Sequence, residues 1–269
     1  MAFFTYKDKK IFYEFHGEGE VVLLLNGLMM TTKSWMPIKR KLSKYKVVMV
    51  DFIDQGSSTS WDQDYGIDLQ VDVVKGLVEA LDLKKINIMG ISYGGKVAMS
   101  FASQYGNVVN SVIAINSIAQ VTESFQDILD SWSEAALTFD GGALFECSAP
   151  YVYSEDYRND NVRLMELTKE FYKNITDEQW YRCLFRMAKS LENLDLSEQL
   201  GQIEAPTLIV SGEMDALAPL EEQRKVHMQI KHSDHGIIKG CGHGATLEKP
   251  KELLELAERF WSSVYEGAV

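Results

Sequence analysis

The chain has 269 residues, 46% of them hydrophobic, with 27 basic against 39 acidic side chains and a formal net charge of −12. That length and apolar content suffice for a large buried core in one α/β domain carrying an insertion. The acidic balance argues against nucleic acid or an anionic lipid surface as partner, since both are polyanions held by clustered Lys and Arg.

Along the chain, Phe3 to Tyr6 and Ile11 to Phe15 read as an opening hairpin, after which strands and helices alternate. Strands are expected at Val21–Leu25, Val47–Asp51, Ile86–Met89, Val112–Ile115, Thr207–Val210 and Gly236–Lys239. Helices are expected at Ser34–Leu42, Leu69–Leu81, Tyr93–Tyr105, Leu220–Ile230 and Lys251–Val264. Such alternation is the mark of a mostly parallel sheet covered on both faces. From Asn116 to Gln202 the alternation stops and charged and aromatic residues dominate. Two adjacent helices there carry Phe171-Tyr172 and Trp180-Tyr181, with Thr176 between them as an expected N-cap. Cys147, Cys183 and Cys241 are too scattered for a disulfide framework and lack metal-ligand spacing, so reduced thiols in a cytoplasm and no bound metal are the expectation. The segment Met1 to Asp8 has no basic region followed by an apolar stretch, and no run reaches the roughly 18 apolar residues of a membrane-spanning helix.

The most informative segment is Gly90-Ile91-Ser92-Tyr93-Gly94, a G-x-S-x-G pentapeptide set between the strand-like Lys85–Met89 and the helix-like Lys96–Tyr105. A serine at such a corner sits on a strained turn for which the flanking glycines leave room, and its hydroxyl projects above the sheet. Serine needs a general base, and the base needs a carboxylate to orient it. Asp215 lies just beyond the strand opened by Pro206, and His243 lies in the flexible Gly240–Gly244 turn after the last strand. Each has a plainer reading as well. Ser92 could cap the helix, His243 could be a solvated turn residue like His16, His227, His232 and His235, and Glu213 rivals Asp215 as the acid.

The order Ser92, Asp215, His243 on this pattern resembles the α/β-hydrolase fold. Further segments agree: Asn26-Gly27-Leu28 resembles the family's His-Gly-x turn, Asp51 to Ser58 resembles its Asp-x-x-Gly-x-Gly-x-Ser loop, and Gly242-His243 with Glu248-Lys249-Pro250 resembles its histidine loop and last helix. Two positions depart, with Asn26 in place of the family's histidine and Asp54 in place of a glycine. The resemblance implies an eight-stranded, mostly parallel sheet flanked by helices, a core domain over residues 1–118 and 203–269, and a helical lid over 119–202. It also implies an oxyanion hole from the backbone N–H groups of Leu28 and Tyr93, whose side chains are then free to line the pocket. Met29, Trp35, Trp132, Phe171 and Trp180 are the pocket candidates.

These features imply a serine hydrolase acting on a small-molecule carboxylic ester, thioester or lactone through an acyl-enzyme intermediate, with no cofactor, because base and oxyanion hole supply the activation. Two other classes stay open: a carbon–carbon hydrolase, acyltransferase or lyase on the same triad, and a ligand-binding protein of the same fold that does not turn over.

Overall fold

The structure, a computed structural model, describes residues 2–266. Eight strands form one sheet: β1 (Ala2–Tyr6), β2 (Lys9–His16), β3 (Val21–Leu25), β4 (Lys46–Val50), β5 (Ile86–Ile91), β6 (Val109–Ile115), β7 (Thr207–Gly212) and β8 (Ser233–Ile238). Their spatial order is β1-β2-β4-β3-β5-β6-β7-β8. β1 and β2 pair antiparallel, as do β2 and β4, and the remaining neighbours run parallel. The central strands β3, β5 and β6 are buried along nearly their whole length and mostly apolar, as a sheet covered on both faces requires. In β3, Leu23 and Leu25 join one core while Val22 and Leu24 join the other, which is the period-two alternation dividing a strand between two faces.

Helices α2 (Asp68–Ala80) and α3 (Tyr93–Gln104) cover the first face. The short α1 (Met36–Lys39) and the long α12 (Pro250–Glu266) cover the second, where Trp261 lies edge-on to Tyr45 at 5.0 Å between centroids. The helix expected over Ser34–Leu42 is broken into a 3₁₀ turn at Thr32–Trp35, α1, and a second 3₁₀ turn at Arg40–Leu42. Thr31 caps the first turn, and Pro37, which has no N–H to donate, falls in the first turn of α1.

Between β6 and β7 the chain runs through α4 (Glu123–Leu137), α5 (Gly141–Val152), α6 (Glu155–Asp160), α7 (Val162–Lys173), α8 (Glu178–Lys189) and α9 (Ser197–Leu200). The cap of α8 is Asp177 rather than Thr176: its Oδ1 accepts from Gln179 N at 2.9 Å. A carboxylate at that position also complements the positive end of the helix dipole, which a hydroxyl does not. After β7 come α10 (Leu220–Gln229) and α11 (Ala245–Glu248). No helix among the described residues is long and apolar enough to cross a membrane, and the three cysteines are unpaired.

Candidate active site

Ser92 stands at the junction of β5 and α3 with φ 54° and ψ −112°, a left-handed conformation that costs a non-glycine residue of order 1–3 kcal/mol. Its surroundings hold it there. Ser92 N donates to Ile115 O at 2.8 Å, and Ser92 O accepts from Ser117 Oγ at 2.9 Å and from Gly95 N at 3.0 Å. The two glycines of the pentapeptide are dictated by close approach: a Cβ on Gly90 would strike the backbone of Gly94, and one on Gly94 would strike the carbonyl of Leu25.

Asp215 and His243 come from separate loops, 28 positions apart in sequence, and meet. His243 Nδ1 lies 2.8 Å from Asp215 Oδ2, with both side chains nearly fully buried. Asp215 Oδ1 accepts from Leu217 N at 2.9 Å and Ala218 N at 2.8 Å, so the carboxylate is fixed on both oxygens. Because an ionised carboxylate only accepts, Nδ1 carries the proton in this pair and Nε2 is left with its lone pair. Glu213 points elsewhere: it is exposed and accepts from Gly240 N at 2.9 Å. Ser92 and His243 line the same cavity, and no hydrogen bond joins Ser92 Oγ to the imidazole among the described residues.

Two residues with no site role expected from the sequence, Asn116 and Glu248, organise the histidine loop. Asn116, at the end of β6 with φ 47°, donates through Nδ2 to Gly242 O at 3.1 Å and His243 O at 2.7 Å, while its Oδ1 accepts from Gly212 N at 2.7 Å. One amide thereby ties the ends of β6 and β7 to the loop that carries His243. Glu248, buried, accepts from Gly242 N at 3.0 Å and from Ser154 N and Oγ at 3.0 and 2.7 Å, joining that loop to the inserted helices. The signal for Asn116 was its place at a strand's carboxyl end, where a buried amide satisfies loop backbone.

Leu28 lines the same cavity as Ser92 and Tyr93 follows Ser92 in the chain, and the backbone N–H groups of both donate no hydrogen bond among the described residues. The turn before Leu28 is clamped from behind. Gln55 Nε2 donates to Gly27 O at 2.7 Å, Asn26 Nδ2 donates to Val50 O at 2.9 Å and to Gln55 Oε1 at 3.2 Å, and Trp35 Nε1 donates to Asn26 Oδ1 at 2.7 Å. Asn26 thus satisfies a buried network that leaves Gly27 and Leu28 one orientation.

Above Ser92 lies a cavity of about 290 Å³. Leu28, Leu129, Trp132, Phe145 and Tyr172 are among its walls, and no Lys or Arg is among the described residues that line it. Of the pocket candidates, Met29 and Trp132 line it. Three do not. Trp35 is fully buried in the core on the opposite face of the sheet, where its indole serves Asn26. Phe171 is 67% exposed on α7, whose neighbour Tyr172 turns to the cavity instead. Trp180 lines a small separate cleft with Leu184 and Met187. Nor does Tyr93 line the cavity: its ring packs on Phe52 at 5.8 Å and its hydroxyl lies 2.9 Å from Ser190 Oγ, so burial pushes the phenol well above its usual range. Burial likewise raises the Tyr153 phenol on the cavity wall to about 12, keeping it neutral. His227 and His235, expected as solvated, are half-buried with rings 5.6 Å apart; His235 Nε2 lies 2.8 Å from Ser211 Oγ, and desolvation lowers its pKa.

A family model for the alpha/beta hydrolase fold matches residues 20–250. The chain belongs to that family and is an enzyme of it. It is similar to MGS-M2, an alpha/beta hydrolase from a Medee basin deep-sea metagenome library, at 33% identity and TM-score 0.94 over 97% of both chains. It is also similar to the 2-hydroxy-6-oxo-6-phenylhexa-2,4-dienoate hydrolase of Comamonas testosteroni, 27% identical over 94% of this chain and 91% of that one. The enol-lactonase of Burkholderia xenovorans LB400 shares the fold at TM-score 0.87 and 20% identity, covering 97% of this chain and 100% of that one.

Proposed function

We propose that the chain is a cytoplasmic serine hydrolase that cleaves a small, uncharged carboxylic ester, thioester or lactone through an acyl-enzyme on Ser92. Ser92 Oγ attacks the carbonyl carbon while His243 Nε2 takes its proton; Asp215 holds the imidazole by Nδ1 and stabilises the imidazolium. The N–H groups of Leu28 and Tyr93 receive the oxyanion. His243 then protonates the departing alkoxide or thiolate, and a water deprotonated by the same nitrogen releases the acid and returns the proton to Ser92. The inserted helices over 119–202 act as a lid that keeps bulk water from the acyl group.

The choice of a neutral substrate rests on one observation: the walls of the cavity carry no Lys or Arg among the described residues. A carboxylate taken into such a site loses its hydration without a partner, which costs several kcal/mol. The likeness to a dienoate hydrolase supports a second reading, carbon–carbon cleavage on the same three side chains. Comparing p-nitrophenyl butyrate with p-nitrophenyl monosuccinate tests the first. A kcat/KM at least about 100-fold higher for the butyrate is expected from the unpaired-charge penalty. Equal rates would overturn it, and turnover of a 2-hydroxy-6-oxo-dienoate without turnover of either ester would establish the second reading.

A further inference from the structure

Ala218, in the loop that follows the acid, is held at both ends. Its N–H donates to Asp215 Oδ1 at 2.8 Å, and its carbonyl accepts from Gln223 Nε2 at 2.6 Å. Gln223 lies fully buried on the first turn of α10, where its own backbone N–H donates to Pro219 O at 3.2 Å. One residue therefore grips two successive carbonyls of the segment that runs from Asp215 into the helix. Pro219 narrows the choices further, since it has no N–H to offer and disfavours helical backbone in the residue before it.

The neighbouring strands leave the Gln223 amide one orientation. A carbonyl only accepts, so Nε2 faces Ala218, and Oε1 accepts from Ser211 Oγ of β7 at 2.8 Å. Ser211 gives its single proton to Gln223, so its oxygen accepts from His235 Nε2 of β8, 2.8 Å away. Contacts thus run from the sheet through Ser211, Gln223 and Ala218 to Asp215, whose Oδ2 lies 2.8 Å from His243 Nδ1. Ser211 and Gln223 are both fully buried, and neither is among the described residues that line the cavity. A methionine of similar shape would fill the Gln223 site without polar atoms to satisfy, so the amide is a costly choice for packing alone.

We propose that Gln223 is a positioning residue for the acid: by fixing the Ala218 carbonyl it keeps the Leu217 and Ala218 N–H groups on Asp215 Oδ1 and so directs Oδ2 at His243 Nδ1. This rests on the hydrolase reading above. Without the amide, the carboxylate keeps its charge and loses its fixed direction, and the imidazole it orients is held less well in the transition state.

The test is Gln223→Met, made in the otherwise native protein and in Asp215→Asn, with p-nitrophenyl butyrate as substrate. In the native background kcat should fall about tenfold, the change that loss of one buried hydrogen bond corresponds to, with KM within about twofold. In Asp215→Asn the same substitution should change kcat by less than about twofold, because the group it acts through is already disabled. A structural weakening would lower both backgrounds by the same factor. The downfield NMR resonance of the His243 Nδ1 proton, compared between Ser92→Ala and Ser92→Ala with Gln223→Met, should move upfield or broaden without any turnover. An unchanged kcat, an equal loss in both backgrounds or an unmoved resonance overturns the proposal and leaves Gln223 as a structural amide. Should Gln223→Met fold poorly, Ser211→Ala, which frees the far end of the amide, is held to the same outcomes. Absence of ester turnover in the wild type would instead overturn the hydrolase reading, and the NMR comparison would then decide the positioning by itself.

Discussion

Asp54 and Arg186, 132 positions apart, form a two-pronged ion pair between the loop after β4 and helix α8: Arg186 Nη2 lies 2.6 Å from Asp54 Oδ1 and Nε lies 3.0 Å from Oδ2. Asp54 takes φ 69°, the left-handed region for which the family's glycine is suited, and uses the side chain a glycine lacks to anchor the inserted helices to the core. The Asp54 carboxylate is wholly buried, so removing it strands the guanidinium.

Asp54→Asn should therefore lower stability by about 3 kcal/mol, the cost of breaking a buried pair from one side. It should also expose α8 to limited proteolysis before the core is cut. Thermal unfolding and a protease time course check both. An unchanged melting temperature would show that the pair contributes nothing net.

For the acid, Asp215→Asn should leave the fold intact and favour the wrong histidine tautomer, a change that lowers kcat by about 10⁴ in a serine protease. Glu213→Gln, whose carboxylate serves only Gly240 N among the described residues, should cost less than about tenfold, the worth of one exposed hydrogen bond. Steady-state kinetics of both variants on one ester decide the assignment, and a larger loss for Glu213→Gln would reverse it.

Burial of Lys96 makes a stability prediction of definite sign. Its folded pKa is depressed to about 7 from 10.5, so between these values the unfolded chain binds the proton that the folded chain has released. Stability contributed at this site consequently rises with pH across that window, and below about 7 the full penalty is present, a few kcal/mol in size. Lys96→Met should be more stable than wild type at pH 7, with the gap closing toward pH 10. Urea unfolding at several pH values measures it; a gap independent of pH would contradict the buried-ammonium account.

Much of this was legible in the chain because the signals are local. The period-two run Ile86–Met89 ending on Gly90 announces a strand meeting a tight turn, and β3 runs over Val21–Leu25 as the pattern predicts. Asp215 and His243 were legible for the same reason, each lying a few residues past a β-rich run. The pocket was legible only in part, since aromatic spacing on a helix says that a face is apolar and not which body it meets. Phe171 turns to solvent while its neighbour Tyr172 reaches the cavity, and Trp35 crosses to the opposite face of the sheet. The Asp54–Arg186 pair and the burial of Lys96 depend on contacts distant in sequence, which periodicity does not encode.

The central claim, that Ser92 is an activated nucleophile, is tested most directly by treating the native protein with a fluorophosphonate and mapping the adduct by mass spectrometry. The account predicts one adduct, on Ser92, formed in step with loss of ester turnover and absent from Ser92→Ala, which should itself be inactive while unfolding normally. A native protein that hydrolyses esters without acquiring the adduct, or a Ser92→Ala variant that turns over at the wild-type rate, would contradict it.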